Sequence, residues 1–279
     1  MTTHLFDQAL ELQAAGNGQA DIFSGATSPA YWNMVGPFGG ATAATALQAV
    51  LQHPALLGEP VSMNVNFAAA TAEGAFTVTA TPVRTNRSTQ HWMISLSQPA
   101  ADGGHSVVMT ATIMTALRRD TWHLNDMPMP DVPLPATLPR AQIKGAMEWL
   151  SRYDMRFARG GIPVKWDGAE NLSPDSLTQV WVRDEPVRPL DFLSLTAMSD
   201  VFYPRIWLRR PVRVAAGTVS MTIYFHASAA ELADAGTGYL LGQASGQAFR
   251  HGFFDQSAQL WSESGTLLVT STQLVYYKE

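Results

Sequence analysis

Three polar side chains stand in surroundings where a polar group needs a reason. Asp200 follows Leu195-Thr196-Ala197-Met198-Ser199 and precedes Val201-Phe202. A carboxylate in so apolar a run loses hydration on burial, which raises its pKa and suits it to orienting or deprotonating a water. The same Asp can equally cap a neighbouring backbone N–H or face solvent. Gln273 ends the run Leu267-Leu268-Val269-Thr270-Ser271-Thr272-Gln273, otherwise apolar or hydroxylic, where a buried amide must find a partner. Thr218 follows Gly217 and opens the stretch that runs to His226. It reads either as a turn residue or as a hydroxyl at the head of a strand. A carboxylate on a helix, faced by a hydroxyl and an amide from neighbouring strands, would cradle one water, as general-base hydrolysis requires.

Other chemistries lack their signatures. There is no G-x-S-x-G nucleophile elbow, no H-E-x-x-H and no G-x-x-x-x-G-K-[ST]. The chain has no cysteine, so disulfides and thiolate metal sites are excluded. His91, His226 and His251 have no ligand-spaced partner and read as structural, and no metal or redox cofactor is expected. The eight Trp and twelve Met read as core and apolar lining. With 46% hydrophobic residues among 279, a sizeable core is available. A formal charge of −5 argues against a general nucleic-acid binder. Asp7 and Glu11 fall where a secretory signal would need basic and apolar residues. No run approaches the roughly 20 apolar residues that span a bilayer. The expected location is the cytoplasm.

The elements that must position these residues follow from pattern. Gly36-Pro37-Phe38-Gly39-Gly40 reads as a tight turn opening onto a helix of small and apolar residues, Ala41 to Val50, that ends before Pro54. Gly39 and Gly40 allow close backbone approach. Alternation predicts strands over 61–67, 76–83, 91–98 and 106–117, with turns at Thr85-Asn86-Arg87-Ser88 and Ala101-Asp102-Gly103-Gly104. A turn at Gly16-Asn17-Gly18 ends an amphipathic lead-in, and 21–32 reads as extended. Five prolines between 128 and 139 mark a linker laid over the surface. Residues 154–158 and 177–182 read as extended. A second helix is predicted from Asp191 to about Tyr203, with Pro189 and Asp191 as its start signals and Asp200 inside it. Strands over 218–226, 239–246, 253–263 and 267–277 follow.

Helix then four strands thus occurs twice. Aligning Gly104-His105-Ser106-Val107-Val108 with Gly265-Thr266-Leu267-Leu268-Val269 gives an offset of 161 and places Thr112 opposite Gln273. The chain is expected to be α+β, a double hotdog: two long antiparallel sheets, each around a central helix, packed as an internal pseudo-dimer. The expected units are 1–117 and 149–279, joined by a linker over 118–148. One productive site is expected, because Thr112 is no amide.

The glycine turn with its Ala/Thr helix, and Pro82-Val83-Arg84-Thr85-Asn86-Arg87-Ser88 with its likeness to an R-x-G-R-S strand-turn, resemble the type II (TesB-like) acyl-CoA thioesterases. That resemblance implies a double-hotdog hydrolase that splits acyl-CoA into free acid and CoA with an activated water, in fatty acid metabolism. It carries the family's catalytic Asp, Ser/Thr and Gln onto Asp200, Thr218 and Gln273. It makes Gly39, Gly40, Arg84, Arg87 and Arg250 candidates for substrate binding, the arginines toward CoA phosphates. Some members carry Asp-His where this chain has Ser220-Met221, which keeps a catalytically silent acyl-binding protein as the alternative. A hotdog hydratase or dehydratase is disfavoured, because no Asp has a His at D-x-x-x-x-H spacing. No nucleic-acid partner is implied, and a homodimer or higher homo-oligomer is expected.

Overall fold

The computed structural model describes residues 3–16, 19–100, 103–142, 147–163, 165–166, 168 and 173–279. Asn17 and Gly18 of the first expected turn, and Ala101 and Asp102 of a later one, lie outside the described residues. In chain order the elements are α1 (Leu5–Ala9), β1 (Gln13–Ala14), β2 (Ile22–Ala26), α2 (Gly39–Leu51), β3 (Glu59–Phe67), β4 (Ala75–Thr85), β5 (Thr89–Pro99) and β6 (His105–Ala116). Then come β7 (Tyr153–Arg159), β8 (Thr178–Asp184), α3 (Phe192–Met198), α4 (Arg205–Arg209), β9 (Ala215–Phe225), α5 (Ala229–Ala235), β10 (Leu240–Ser245), β11 (Phe249–Arg250), β12 (Phe253–Ser262) and β13 (Leu267–Lys278).

Where two sheets were expected there is one. The strands run β1-β2-β4-β5-β6-β3-β9-β13-β12-β10-β8-β7, all neighbours antiparallel, with β11 added beside β12. The join is β3 against β9, from Ser62↔Tyr224 to Asn66↔Ser220. Each half would otherwise leave this strand as an open edge with unpaired N–H and C=O groups, and pairing the two edges satisfies both. Asn64 Nδ2 donates to Thr222 Oγ1 across the seam at 2.8 Å.

The repeat is present, but the offset of 161 is off by one. Val108 O receives the N–H groups of both Ala68 and Ala69, and Leu268 O receives those of His226 and Ala227. These matching bulges align Val108 with Leu268, an offset of 160. The inner strands agree, because Met63 and Val65 are buried on one half as Met221 and Ile223 are on the other. Side chains alternate along a strand, so an error of one residue exchanges the faces. Thr112 therefore points outward and is exposed, and the counterpart of Gln273 is the buried Ile113.

Helices α2 and α3 lie on the inner face and share one core with it. From Gly40 to Val50, α2 is buried except at Gln48. Its two hydroxyls are satisfied within the helix, Thr42 by Phe38 O at 3.3 Å and Thr45 by Ala41 O at 3.0 Å. Every residue of α3 is buried. That helix is shorter than expected. It starts at the Asp191 cap, whose Oδ1 accepts from Ser194 N at 2.8 Å, and it stops at Met198. Ser199 turns its hydroxyl back onto Leu195 O at 2.9 Å, and Pro204 disfavours helix at the residue before it. Asp200 thus stands just past the helix end, not in its middle.

Over the outer face of the second half run residues 127–138. Trp261 Nε1 donates to Met127 O at 3.3 Å and Trp181 Nε1 to Pro133 O at 2.9 Å. Met129, Val132 and Leu138 pack on the cluster of Trp181, Tyr239, Leu241 and Trp261. Among the described residues no helix is long and apolar enough to cross a membrane.

Candidate active site

Asp200, Thr218 and Gln273 come from a helix end and two adjacent strands, and one hydrogen-bonded chain links them. Thr218 Oγ1 donates to Gln273 Oε1 at 3.2 Å, and Gln273 Nε2 donates to Asp200 Oδ1 at 2.8 Å. The strand registers bring them together. Gln273 pairs with Met221 and Thr218 with Val275, on either side of a bulge after Leu274. That bulge shifts the face of β9 so that Thr218 and Gln273 share one side. Gln273 is buried, and its Nε2 also lies 3.4 Å from Met221 Sδ.

The Asp200 carboxyl is pushed up to about 7. Burial is the largest cause, opposed by the Gln273 amide and by the backbone N–H of Gly40. The residue as a whole is half-buried. It sits at the N-terminus of α2, where unsatisfied N–H groups favour negative charge, yet desolvation outweighs them. Such a group is ionised in a large fraction near neutral pH and still basic enough to accept a proton.

The two glycines have separate duties. A Cβ on Gly39 would lie 2.8 Å from Asp200 Oδ2, and one on Gly40 would lie 2.5 Å from Ala197 O. The first glycine leaves room for the carboxylate and the second lets α2 and α3 approach. Phe38, just before them, stacks on Trp149 with centroids 4.1 Å apart.

Internal symmetry shows how the second half differs from the first. The bulge offset places Pro60 opposite Thr218 and Ile113 opposite Gln273. Counting from the helix caps Phe38 and Asp191 places Leu47 opposite Asp200 and Phe192 and Leu193 opposite Gly39 and Gly40. Leu47 and Ile113 are buried. At the related position every polar member of the chain is replaced by an apolar one, and the two small residues by large ones.

The arginines divide by the same symmetry. Arg84 and Arg87 flank the β4–β5 turn, both exposed, with Arg84 Nε donating to Asn86 Oδ1 at 3.0 Å. Their end of the sheet is that of Pro60 and Thr115, opposite to Thr218. Arg250 pairs with Phe253, Phe253 with Tyr276 and Tyr276 with Gly217, so only Arg250 lies at the end that holds Thr218. The His251-Gly252 turn beside it has φ of 56° and 75°, as a two-residue hairpin turn needs.

Sequence reasoning passed over two nearby groups. Tyr153 is buried, with no partner for its hydroxyl among the described residues. Burial pushes its pKa well up, followed by the charges of Tyr31, Asp184 and Asp200. Gln256 is the cross-strand neighbour of Gln273 and is buried too. Nothing in the pattern flags Tyr153. Gln256 was visible, because alternation in Phe254-Asp255-Gln256-Ser257-Ala258 puts it on the face of Phe254 and Ala258.

Comparison with known proteins gives a consistent picture. Residues 126–277 match the family profile for the acyl-CoA thioesterase C-terminal domain, and residues 28–116 match that for the N-terminal domain. A search of curated proteins found no match. Among solved structures, a conserved hot dog fold protein of unknown function from Alicyclobacillus acidocaldarius is 42% identical, with 100% of this chain and 99% of that one covered and a TM-score of 0.91. The TesB protein of Mycobacterium avium subsp. paratuberculosis is 18% identical, with 98% of each chain covered and a TM-score of 0.75. The dehydratase domain of PpsC from Mycobacterium tuberculosis, solved with C12:1-CoA, shares 13% identity over 97% of this chain and 99% of that one, with a TM-score of 0.57. The last two likenesses speak for the hotdog fold alone.

Proposed function

The chain belongs to the acyl-CoA thioesterase family, and on that premise we propose that it hydrolyses acyl-CoA to a free acid and CoA with a water activated by Asp200, Thr218 and Gln273. The observation that carries the reading is the chain Thr218→Gln273→Asp200, ending on a carboxyl pushed up to about 7. In this reading the unit 1–117 supplies the α2 N-terminus, the unit 149–279 supplies the three side chains, and 118–148 joins them.

The chemistry follows from the free valences. Gln273 holds Oδ1, so Asp200 presents Oδ2, the oxygen for which Gly39 leaves room, to the water. Thr218 gives its proton to Gln273 and keeps lone pairs that accept from the same water. The water oxygen adds to the thioester carbonyl carbon while one of its protons passes to Asp200. The carbonyl π pair moves to oxygen. Collapse of that oxyanion breaks the C–S bond, and the departing CoA sulfur takes the proton back from Asp200. In this reading Arg250, at the end of the sheet that holds Thr218, is the arginine that meets a CoA phosphate.

The test is CoA release from acyl-CoAs of increasing chain length, read with a thiol reagent, to which a cysteine-free chain adds no background. Wild type should turn over and Asp200→Asn should lose 10²-fold or more, on the order expected for a general base. Unchanged turnover in the variant would move the site elsewhere. The silent binder is the second reading, favoured by Met221, which is buried against Gln273 where some relatives carry His. Acyl-CoA binding without turnover would select it.

A further inference from the structure

Hydrolysis by this arrangement leaves one demand unmet. The oxyanion needs a donor fixed in advance at the carbonyl oxygen. Gln273 directs its NH2 group at Asp200 Oδ1 and Met221 Sδ and its carbonyl at Thr218. The Gly40 N–H is likewise directed at Asp200. None of these is free for the substrate.

Gln256 is. It pairs in register with Gln273 across β12 and β13, so the two side chains rise side by side from the inner face. It is 2% exposed, and its Nε2 is buried with no hydrogen-bond partner among the described residues. Phe254 and Ala258, on the same face of β12, are both buried and offer only apolar side chains. A buried amide without a partner costs stability, so it persists where something outside the chain completes it. Other partnerless buried donors exist, Tyr31, Tyr153 and Trp149 among them. They lie around Phe38 on other elements, and none is the cross-strand neighbour of Gln273.

Resting on the thioesterase reading, we propose that Gln256 is a further catalytic residue, whose side-chain N–H binds the thioester carbonyl oxygen and holds the oxyanion formed when water adds. No bond to Gln256 forms or breaks. The pair released from the C=O π bond sits on oxygen beside the amide until it returns and expels the CoA sulfur.

Gln256→Met keeps length and volume and removes the donor. With the acyl-CoA best used by wild type, kcat should fall about 10²- to 10³-fold and KM should rise about tenfold, because the amide also holds the ground-state carbonyl. Melting temperature should hold or rise, because an unsatisfied amide has left the core. Two CoA analogues separate donor from packing. A ketone analogue, with CH2 in place of sulfur, should bind Gln256→Met at least about tenfold more weakly than wild type. A thioether analogue without the carbonyl should bind both alike. Gln256→Asn, a shorter amide that keeps the polar group, should be intermediate in kcat and guards against loss of fold in the first variant. If kcat stays within threefold and the ketone binds unchanged, the assignment is overturned while hydrolysis through Asp200 stands. If wild type releases no CoA from any substrate, the thioesterase reading falls, and this assignment with it.

Discussion

At the scale of the residue, the proposed hydrolysis is controlled by the protonation of Asp200. A carboxyl at about 7 must lose its proton before it can act as a base. We expect kcat/KM to rise tenfold per pH unit below about 7 and level off above it, in a profile measured from pH 5 to 9. A flat profile would mean that Asp200 is not the base. Burial sets the midpoint high and its neighbour moderates it, because the Gln273 amide favours the charged form. Gln273→Met should therefore move the midpoint to higher pH as well as lower kcat. Stability runs the opposite way. An unfolded Asp titrates near ~4, so the stability tied to protonated Asp200 is full below that pH and lost as pH rises through about 7. The melting temperature of Asp200→Asn should gain on wild type between pH 4 and pH 8. These three residue types were legible because polar groups in apolar runs are conspicuous. Their hydrogen bonds were not, because a contact between Asp200 and Gln273 depends on how a helix end meets a strand.

At the scale of the element, α2 serves by what it lacks. Gly39→Ala and Gly40→Ala look alike in sequence but meet different atoms. The Cβ at Gly40 would press on the Ala197 carbonyl, which is backbone and cannot step aside. Gly40→Ala should cost about 1–3 kcal/mol in denaturant unfolding, as overpacking of a close helix contact does. The Cβ at Gly39 would press on the Asp200 carboxylate, which can rotate away. Gly39→Ala should keep most of its stability and lose kcat. Equal losses of both in the two variants would contradict this division. The periodicities that mark α2 and the strands β3 to β6, β9, β10, β12 and β13 were readable because they are strict. The end of α3 was not, since Val201 and Phe202 continue the apolar run although the backbone has left the helix. Helix α5 was missed despite its capping box, Ser228 with Glu231, a local signal that three turns of apolar pattern did not follow.

At the scale of the molecule, one continuous sheet with near-twofold symmetry offers two equivalent places for a site. One site was expected, but the alignment from which that expectation was drawn does not hold. An offset of 161 compared Gln273 with the outward Thr112, a residue that could never have reached the inner face. Faint similarity aligns residue types, whereas only the paired bulges at Val108 and Leu268 align faces. With the faces matched, the related position holds Leu47, Pro60 and Ile113, and α3 presents Phe192 and Leu193 where α2 presents glycines. No carboxylate, hydroxyl or amide stands there to hold water, and bulk replaces the space beside Asp200. The chain should therefore bind one molecule of the ketone analogue, not two, by titration calorimetry. Restoring only Leu47→Asp should not raise that number, because the new carboxylate would meet Phe192 and no amide. A stoichiometry of two per chain in wild type would show that the first half still takes substrate, through groups other than those that its partner half uses.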